Sequence, residues 1–503
     1  MKTIRTDLLR PDSIKSETEK LWVYNGLDCC VTHEVLGELL PQLDNLTGAT
    51  YALSRALQGP VLEMNMRGVL IDEHERKRAI TSYTSDSERL EEGLHYIVRE
   101  GVGYTDFRDS GRTKAWRSNS QVGTLLYDVL KLPEIRKRND KGELVRTVNR
   151  DALERLQTHF IAQPIISHIL ALRDIGKKIG VLETEVDPDG RLRTSYNIAG
   201  TTTGRFSSSL NDFGTGGNVQ NIEERLRRIF IPDPGHKFAN IDLEQADARN
   251  IGALCWNIFR DSKYLDACES GDLHTTVSKL SKPGLPWTGD IRKDREIAER
   301  PFYRHHSLRH MCKVLGHGTN YIGSPYEMSK HTKIDQDAIK EFQPVYFEAF
   351  PAIRRLHEWT RERLIEDGYL VTPFGRKRWF FGKRDDNDTL KQGVAHLGQS
   401  MTADEMNVGM IQLWRENICI LLMQCHDSIL IQYPEEAEND VVPQALAALK
   451  VVLELEGGRQ FSVPLEAQVG WNWGKVIKDP ETGEVIENPW GLSKWPDNRA
   501  RRS

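Results

Sequence analysis

The sequence predicts an α+β protein that is mostly helical and divided into several subdomains. Its 503 residues exceed what one compact core usually holds. Stretches with helical spacing, such as 74–100 and 151–182, outnumber those that alternate like strands. The main strand candidates are 236–256, where a strand pattern changes to helical spacing, and 418–434, whose two apolar runs around a polar centre predict a hairpin.

Composition narrows the class of protein. The hydrophobic fraction of 39% suits globular cores, and no run of 18 apolar residues predicts a membrane span. The first twenty residues lack the apolar stretch of a secretory signal. Seven cysteines include no CxxC pair, so we expect a reducing compartment and no zinc site. The net charge of −5 argues against a uniformly basic DNA coat.

Shorter elements can be predicted from local signals. Residues 28–41 predict an amphipathic segment, and 59–72 predict a helix, a glycine turn and a strand. Residues 119–133 predict a helix capped by Asn119 or Ser120 and ended by Pro133. The polar tail from about residue 476 predicts disorder.

Positive charge is concentrated in two stretches. Residues 291–313 carry seven Lys/Arg and three His against three acids, and residues 108–117 carry four Lys/Arg against one acid. Such patches can attract phosphates even on an acidic protein. A solvated helix face is the alternative interpretation.

Two aspartates lie in apolar surroundings. Asp242 ends the strand pattern FANID, and Asp427 lies at the predicted hairpin tip. Acids seldom occupy such runs unless they are paired or bind a metal. Two carboxylates at neighbouring strand ends can hold two divalent cations about 4 Å apart for phosphoryl transfer. Mg²⁺ fits because it leaves positions open for phosphate oxygens. Either residue taken alone is also an ordinary turn or cap residue.

A predicted helix over 309–325 carries a slanted stripe of residues at steps of four: Arg309, Lys313, His317 and Tyr321. The two cations suit the β- and γ-phosphates of a nucleotide, and the two rings suit stacking on a base or sugar. Gly316 and Gly318 weaken a helix by about 1 kcal/mol each relative to alanine. Close approach of a base pair to the helix backbone would compensate. An exposed amphipathic helix with glycine kinks is the alternative.

Eight segments in collinear order, over roughly residues 50–475, resemble the family A DNA polymerases of the bacterial polymerase I type. They are TTTGRFSSSL…NVQNI (201–222), DLEQADAR (242–249), GDLH (271–274), residues 309–323, GYLVTPFGRKRWF (368–380), QSMTADEMNVGM (399–410), QCHDS (424–428) and VPLEAQVGWNW (463–473). No single string is decisive, but their common order is specific.

The resemblance implies a right-hand polymerase fold with an antiparallel palm sheet and a helical thumb and fingers. The implied divisions are an exonuclease remnant (1–45), palm entry (46–74), thumb (75–185), palm with Asp242 (186–264), fingers (265–385), palm with Asp427 (386–475) and a polar C-terminal tail (476–503). It also implies a phage-type monomer in bacterial or phage-infected host cytoplasm, with primer–template DNA and dNTPs as partners and no membrane.

The residue roles of the family carry over to matching positions as expectations. Template-directed addition of dNTPs to a primer 3′-hydroxyl would use two Mg²⁺ ions, which Mn²⁺ can replace, held by Asp242, Asp427 and the carbonyl of Leu243. The implied nucleotide contacts are Arg309, Lys313, His274, His317, Tyr321, Gln245 and Asp247. The implied DNA contacts are Arg205, Gln399, His426, Asn221 and Ser428.

Four features depart from the family pattern. Asp247 replaces a glutamate that shields the sugar 2′ position, so we expect weaker rejection of ribonucleotides. His317 replaces a Phe or Tyr, and Ser428 replaces a third acid. The 35 positions from His274 to Arg309 make a longer connection than usual. This basic connection contacts single-stranded template or a partner, or it is a passive insertion.

The front of the chain resembles the end of a 3′→5′ exonuclease domain. Tyr24 and Asp28 in YNGLD match the last motif of that domain, and its earlier acidic motifs are not in the sequence. We therefore expect no proofreading by this chain. Either the sequence is a piece of a longer protein, or the missing part is a separate polypeptide, so that an exonuclease chain or a processivity factor is an expected partner. A plain core helix is the alternative interpretation of YNGLD.

Two other functions compete with DNA polymerisation. A single-subunit, phage-type RNA polymerase shares the palm, and the segment of that group that corresponds to 424–428 contains His-Asp-Ser, as at 426–428. The residues Gln245, Asp247 and Arg249 and the TGRFSS segment favour the DNA polymerases instead. A catalytically inactive protein that binds primer–template would have lost its metal ligands, whereas both aspartates are present.

Overall fold

The computed structural model describes residues 16–111, 113–139, 141–211, 214–304, 306–479 and 484–496. The α-helices are α1 (Glu17–Leu39), α2 (Asn45–Ala56), α3 (Gln58–Arg67), α4 (Glu73–Tyr96), α5 (Asn119–Gly123), α6 (Arg150–Leu156), α7 (Gln163–Leu182), α8 (Ala246–Phe259), α9 (Lys263–Glu269), α10 (Leu273–Ser281), α11 (Ile291–Glu299), α12 (Leu308–Asn320), α13 (Pro325–Thr332), α14 (Gln336–Ala349), α15 (Pro351–Glu366), α16 (Asn387–Glu416) and α17 (Glu438–Leu449). None of these described helices is long and apolar enough to cross a membrane.

The strands are mostly short. They are β1 (Val69–Ile71), β2 (Arg136–Arg138), β3 (Leu144–Arg146), β4 (Arg191–Leu192), β5 (Ser195–Asn197), β6 (Ser207–Ser209), β7 (Phe230–Ile231), β8 (His236–Leu243), β9 (Pro301–Tyr303), β10 (His306–Ser307), β11 (Tyr369–Val371), β12 (Lys377–Trp379), β13 (Ile420–Cys425), β14 (Ser428–Pro434), β15 (Leu453–Glu454), β16 (Gln460–Phe461), β17 (Leu465–Gly470), β18 (Ile477–Lys478), β19 (Val485–Glu487) and β20 (Ser493–Lys494).

The chain divides into two compact units. The sheet unit comprises residues 59–244, 406–451 and those from 462 onward. The helical unit comprises residues up to 58, 245–405 and 452–461. Each unit is described by itself below.

A five-stranded sheet, in the order β13-β14-β8-β17-β20, forms the centre of the sheet unit. All of its neighbouring strands pair antiparallel. The middle strand β8 buries Phe238, Ala239 and Ile241 completely, as expected for a strand that is covered on both faces. This unit also contains a three-stranded sheet, β4-β1-β7, and a second apolar core within residues 94–172.

Helices dominate the helical unit. Tyr264 and Tyr346 are buried in its core. Their hydroxyls hydrogen-bond each other (3.0 Å), and both bond the Asn320 side chain, at 2.8 Å for Tyr264 and 3.0 Å for Tyr346. Buried hydroxyls need such partners to offset their desolvation. The network fixes the end of α12, which carries the predicted cationic stripe.

Several local predictions are confirmed. Residues 59–72 contain a helix, a turn at Gly68 with φ of 64° and strand β1. The strand pattern of 236–243 is β8, and helical spacing begins with α8. The hairpin of 418–434 is formed by β13 and β14.

Other local predictions are wrong. The N-cap of α5 is Ser118, not Asn119 or Ser120. The helix α5 ends at Gly123, and a π-helical segment (Thr124–Val129) follows it. The amphipathic segment 28–41 is part of the longer α1, which buries none of its residues.

The predicted disorder of the C-terminal tail is also wrong for the described residues beyond 476. β18 pairs with β19, and β20 pairs with β17 of the central sheet. The Trp490 ring packs edge-on against Trp471, with centroids 5.6 Å apart, and Leu492 is buried. Residues 497–503, with the basic RARR end, lie outside the described residues.

Candidate active site

Asp242 and Asp427 lie at adjoining strand ends in the sheet unit. Asp242 is the next-to-last residue of β8, and Asp427 lies in the two-residue turn between β13 and β14. The Leu243 amide donates to the Asp427 carbonyl (3.2 Å), which ties the end of β8 to that turn. The sheet therefore brings the two carboxylates into one site, as the sequence pattern predicts.

The electrostatics of the pair suit a cation. Burial, followed by the charges of Asp427 and Glu466, raises the pKa of Asp242 to about 7. Carboxylates that resist ionising together are stabilised by a divalent cation, and their hard oxygens fit Mg²⁺. Among the described residues the two acids are not part of a cluster of three His, Cys, Asp or Glu side chains able to hold a metal. Backbone carbonyl, phosphate and water oxygens would have to complete the coordination.

A third acid, which the sequence did not reveal, lies opposite Asp242. Glu466 on β17 is the register partner of Asp242, and it forms an ion pair with Lys494 (3.1 Å). On the other side the register partner is Ser428, whose hydroxyl donates to the Cys425 carbonyl (3.0 Å). Position 428, on one side of Asp242, therefore lacks an acid, whereas position 466, on the other side, has one. Only strand register could identify it, since the sequence does not state which residues face each other.

The turn that carries Asp427 has a strained backbone. His426 is exposed at its tip and adopts a left-handed conformation with φ of 57°. A two-residue hairpin turn requires this conformation, which is costly for a residue other than glycine. Gln245, which precedes α8 in the helical unit, is also left-handed, with φ of 54°. Non-glycine residues with positive φ therefore lie close in sequence to both aspartates.

Buried side chains hold the turn from below. The side chain of Gln424 donates to the His426 carbonyl and accepts from Gln220 (3.2 Å). The Tyr196 hydroxyl donates to the backbone carbonyl of Gln424 (3.0 Å) and accepts from the backbone amide of the same residue (3.1 Å). Sequence reasoning missed these supporting residues, because only the fold brings residues 196 and 220 beside the hairpin. Of the predicted DNA contacts in this unit, Arg205 is half-buried and Asn221 is exposed.

In the helical unit, α12 presents most of the predicted stripe. Lys313 and His317 are exposed, and Arg309 is half-buried. Tyr321 follows the helix as its C-cap, so it is not part of the helical stripe as predicted. Its ring still packs against that of His317, with centroids 4.9 Å apart.

The two glycines of α12 have a different role from the one predicted. A Cβ at Gly316 would meet the Tyr346 ring at 3.3 Å, and one at Gly318 would meet Met328 at 2.8 Å. The glycines allow close packing of α12 within the helical unit. The predicted compensation, a base pair close to the helix backbone, is not needed to explain them.

Arg309 is held by an acid that sequence reasoning missed. Its Nε and Nη2 donate to the two carboxylate oxygens of Asp272, at 2.9 and 3.3 Å. Asp272 is buried and also caps α10 through the amides of His274 and Thr275. Burial, together with the positive charge of Arg309, lowers the pKa of His274 to about 4. At pH 7 His274 is therefore neutral, and it can form a hydrogen bond near the positively charged Arg309 and Lys313.

Asp247 belongs to a hydrogen-bonded chain inside the helical unit. It accepts from the Thr402 hydroxyl (2.9 Å), and Asn250 donates to the Thr402 oxygen (3.1 Å) and to Glu405 (3.2 Å). Burial raises the pKa of Glu405 to about 8. The Asp247 carboxylate is thus positioned by Thr402. The neighbouring prediction, Gln399, is half-buried on the same helix, α16.

Tyr24 and Asp28, the predicted exonuclease remnant, lie one turn apart on α1. Both are exposed, and α1 buries no residue. The assignment of these two residues to an exonuclease remnant stays a prediction.

Comparison with known proteins defines the family. The model of "DNA polymerase family A" matches residues 106–475. DNA polymerase I of Thermus caldophilus is 26% identical over 461 residues, which cover 87% of this chain and 49% of that protein. DNA polymerase I of Mycobacterium bovis is 29% identical over 70% of this chain and 38% of that protein. The polymerase domain of Pol1 from M. smegmatis, solved with DNA primer-template and dNTP, has a TM-score of 0.68 at 22% identity, over 84% of this chain and 70% of that chain.

The fold is that of a polymerase domain, and the chain belongs to DNA polymerase family A. It spans about half the length of the curated relatives it matches. The resemblance predicted from the motifs is confirmed.

Proposed function

We propose that this chain is a template-directed DNA polymerase that adds dNTPs to the 3′-hydroxyl of a primer. The observation that carries the proposal is the pair Asp242 and Asp427, tied at adjoining strand ends in a chain of family A. Such a pair suits phosphoryl transfer because it can hold two divalent cations side by side.

Asp242, Asp427 and the Leu243 carbonyl would hold two Mg²⁺ ions, and Mn²⁺ would fit the same oxygen ligands. Bound there, the ions would supply Lewis acidity to the attacking hydroxyl and to the departing pyrophosphate. The raised pKa of Asp242 supports this assignment, because burial and the nearby charge of Asp427 both disfavour the free carboxylate, and a bound cation would stabilise it.

The nucleotide would be bound mainly from α10 and α12. Arg309 and Lys313 supply positive charge to its phosphates, and neutral His274 supplies a hydrogen bond. His317 and Tyr321 offer rings to the nascent base pair, and Gln245 and Asp247 face its sugar. The hydrogen bond from Thr402 supports a fixed position for the Asp247 carboxylate.

Primer–template DNA would be bound by contacts that do not read sequence. Arg205, Gln399 and His426 would contact the minor-groove side, and Asn221 and Ser428 the primer strand. The Ser428 hydroxyl donates to the Cys425 carbonyl, which leaves its oxygen able to accept a hydrogen bond from the primer strand. Sequence information then comes from base pairing, and affinity falls with salt.

We also propose the polymerase subdomains that the motifs imply. The five-stranded sheet is the palm, residues 75–185 are the thumb and 265–385 the fingers. A processivity factor or a separate exonuclease chain is a proposed partner.

A primer-extension assay tests this function. The wild type should extend a labelled primer on a DNA template with dNTPs and Mg²⁺. Asp242→Asn should abolish extension, whereas Asp440→Asn, an exposed control on α17, should leave it unchanged. Primer-independent synthesis from NTPs would instead favour an RNA polymerase. A wild type that binds primer–template without extending the primer would favour the inactive binding protein. An Asp242→Asn protein that extends normally would contradict the catalytic role of the pair.

A further inference from the structure

The described part of the long inserted connection between His274 and Arg309 is folded into regular elements. It contains α11 and the β9–β10 hairpin. α11 is anchored by Asp294, which is completely buried. This carboxylate accepts from Lys279 of α10 (2.6 Å) and from the amides of Thr288 (2.6 Å) and Gly289 (3.2 Å). The insertion is thereby fixed to the helix that carries His274.

α11 directs two charged residues toward Arg309. Arg295 and Glu299 lie one turn apart, and the Arg295 Nε donates to the Glu299 Oε1 (2.9 Å). The same Glu299 oxygen lies 3.9 Å from Nη1 of Arg309. Arg295 also lies 3.9 Å from the Asp272 oxygen that Arg309 binds. Two guanidiniums, one from the insertion and one from α12, therefore converge on the same two carboxylates.

The two carboxylates differ in burial and in role. Asp272 is buried and occupies the Nε and Nη2 groups of Arg309 as a fixed part of the helix cap. The Glu299 side chain is about half exposed (48%) and approaches the remaining Nη1 end. An exposed carboxylate between two guanidiniums occupies a position that a phosphoryl group fits, since arginine binds both anions through the same geometry.

We propose that Arg295 and Arg309 form a shared site for the polyphosphate tail of the incoming nucleotide, and that Glu299 fills this site until the nucleotide displaces it. The proposal rests on the proposed function, because it takes the ligand to be a dNTP. Arg295 is then a phosphate-binding residue contributed by the insertion, and Glu299 is a competing anion. An ordinary i,i+4 ion pair on an exposed helix would instead contribute little to stability and nothing to nucleotide binding.

Opposite charge changes on one helix test the site. With primer–template saturating, Arg295→Ala should raise the KM for dNTP about three- to tenfold with a smaller change in kcat, since one charge-assisted contact is lost. Arg295→Lys should recover part of this loss. Glu299→Gln should lower the KM, because the competing charge is removed. Arg292→Ala, on the exposed surface of the same helix, is the matched control and should match the wild type.

Binding of inorganic tripolyphosphate to the whole protein, measured by titration calorimetry, separates this inference from the proposed function. Arg295→Ala should weaken binding and Glu299→Gln should not, whether or not the protein extends primers. A wild-type protein that binds tripolyphosphate but does not extend primers would contradict the proposed function and leave the shared site intact. An Arg295→Ala protein with unchanged KM and unchanged tripolyphosphate affinity, or a Glu299→Gln protein that loses affinity as Arg295→Ala does, would overturn the shared site.

Discussion

The amide of Leu243 donates to the carbonyl of Asp427, and this single backbone hydrogen bond joins the ends of two segments that lie more than 180 residues apart in sequence. It belongs to the main chain, so it persists when either acidic side chain is changed. The two carboxylates can therefore be altered one at a time without dismantling the strand ends that carry them.

The burial of Asp242, together with the charge of Asp427, predicts how stability depends on pH. The pKa of Asp242 is raised from 3.8 to about 7 in the folded protein. The folded state then holds a proton more tightly than the unfolded state, so this group lowers stability progressively as pH rises from about 4 to about 7. Asp242→Asn removes that loss. In metal-free buffer the variant should be the more stable protein at pH 8, by on the order of a few kcal/mol.

Thermal unfolding at pH 5 and pH 8 measures this difference. The advantage of Asp242→Asn should shrink at pH 5, where the wild-type carboxyl keeps its proton. Mg²⁺ should stabilise the wild type more than the variant. A variant that is less stable than the wild type at pH 8 would show that Asp242 is not under electrostatic strain.

The left-handed backbone of His426 predicts that function and stability can be separated. Glycine adopts positive φ without steric cost, so His426→Gly should change the free energy of unfolding by no more than about 1 kcal/mol. Primer extension should nevertheless fall, because the ring is lost from the site. Lys131→Gly, at another left-handed position in the sheet unit with φ of 53°, is the control and should keep full activity. Full activity of His426→Gly would exclude the proposed contact.

The pairing of Asp272 with Arg309 predicts a positioning effect. Asn at 272 keeps a capping oxygen for α10 but loses the charge that holds the guanidinium. We expect Asp272→Asn to raise the KM for dNTP about tenfold. The midpoint temperature of thermal unfolding should change little. Asp337→Asn, an exposed change on α14, serves as the control. Equal KM values for the two variants would show that Arg309 needs no support.

The contact between Asp247 and Thr402 predicts the effect of side-chain length on sugar selection. Glutamate at 247 reaches further from α8 and should close the space beside the sugar 2′ position. Asp247→Glu should therefore improve discrimination against ribonucleotides about tenfold, a size typical of one steric contact. Competing dATP and ATP incorporation on one template gives the ratio. Identical ratios in the wild type and the variant would count against a role of Asp247 in sugar selection.

The sequence by itself determined the family, the strand and hairpin that carry Asp242 and Asp427, and the helix that presents Lys313 and His317. Local periodicity and sequence motifs identify these features, and neither depends on contacts between distant residues. Sequence reasoning failed where contacts with distant residues matter. In the described part of the tail beyond 476, β20 pairs with β17, and the glycines of α12 allow packing against Tyr346 and Met328.

Only the tertiary structure decided which charges meet. Glu466 opposite Asp242, Asp272 beneath Arg309, and the inserted pair Arg295 and Glu299 beside Arg309 all follow from strand register and helix packing. The physical reason is that an electrostatic interaction depends on distance and burial, and both are set by residues far apart in the chain.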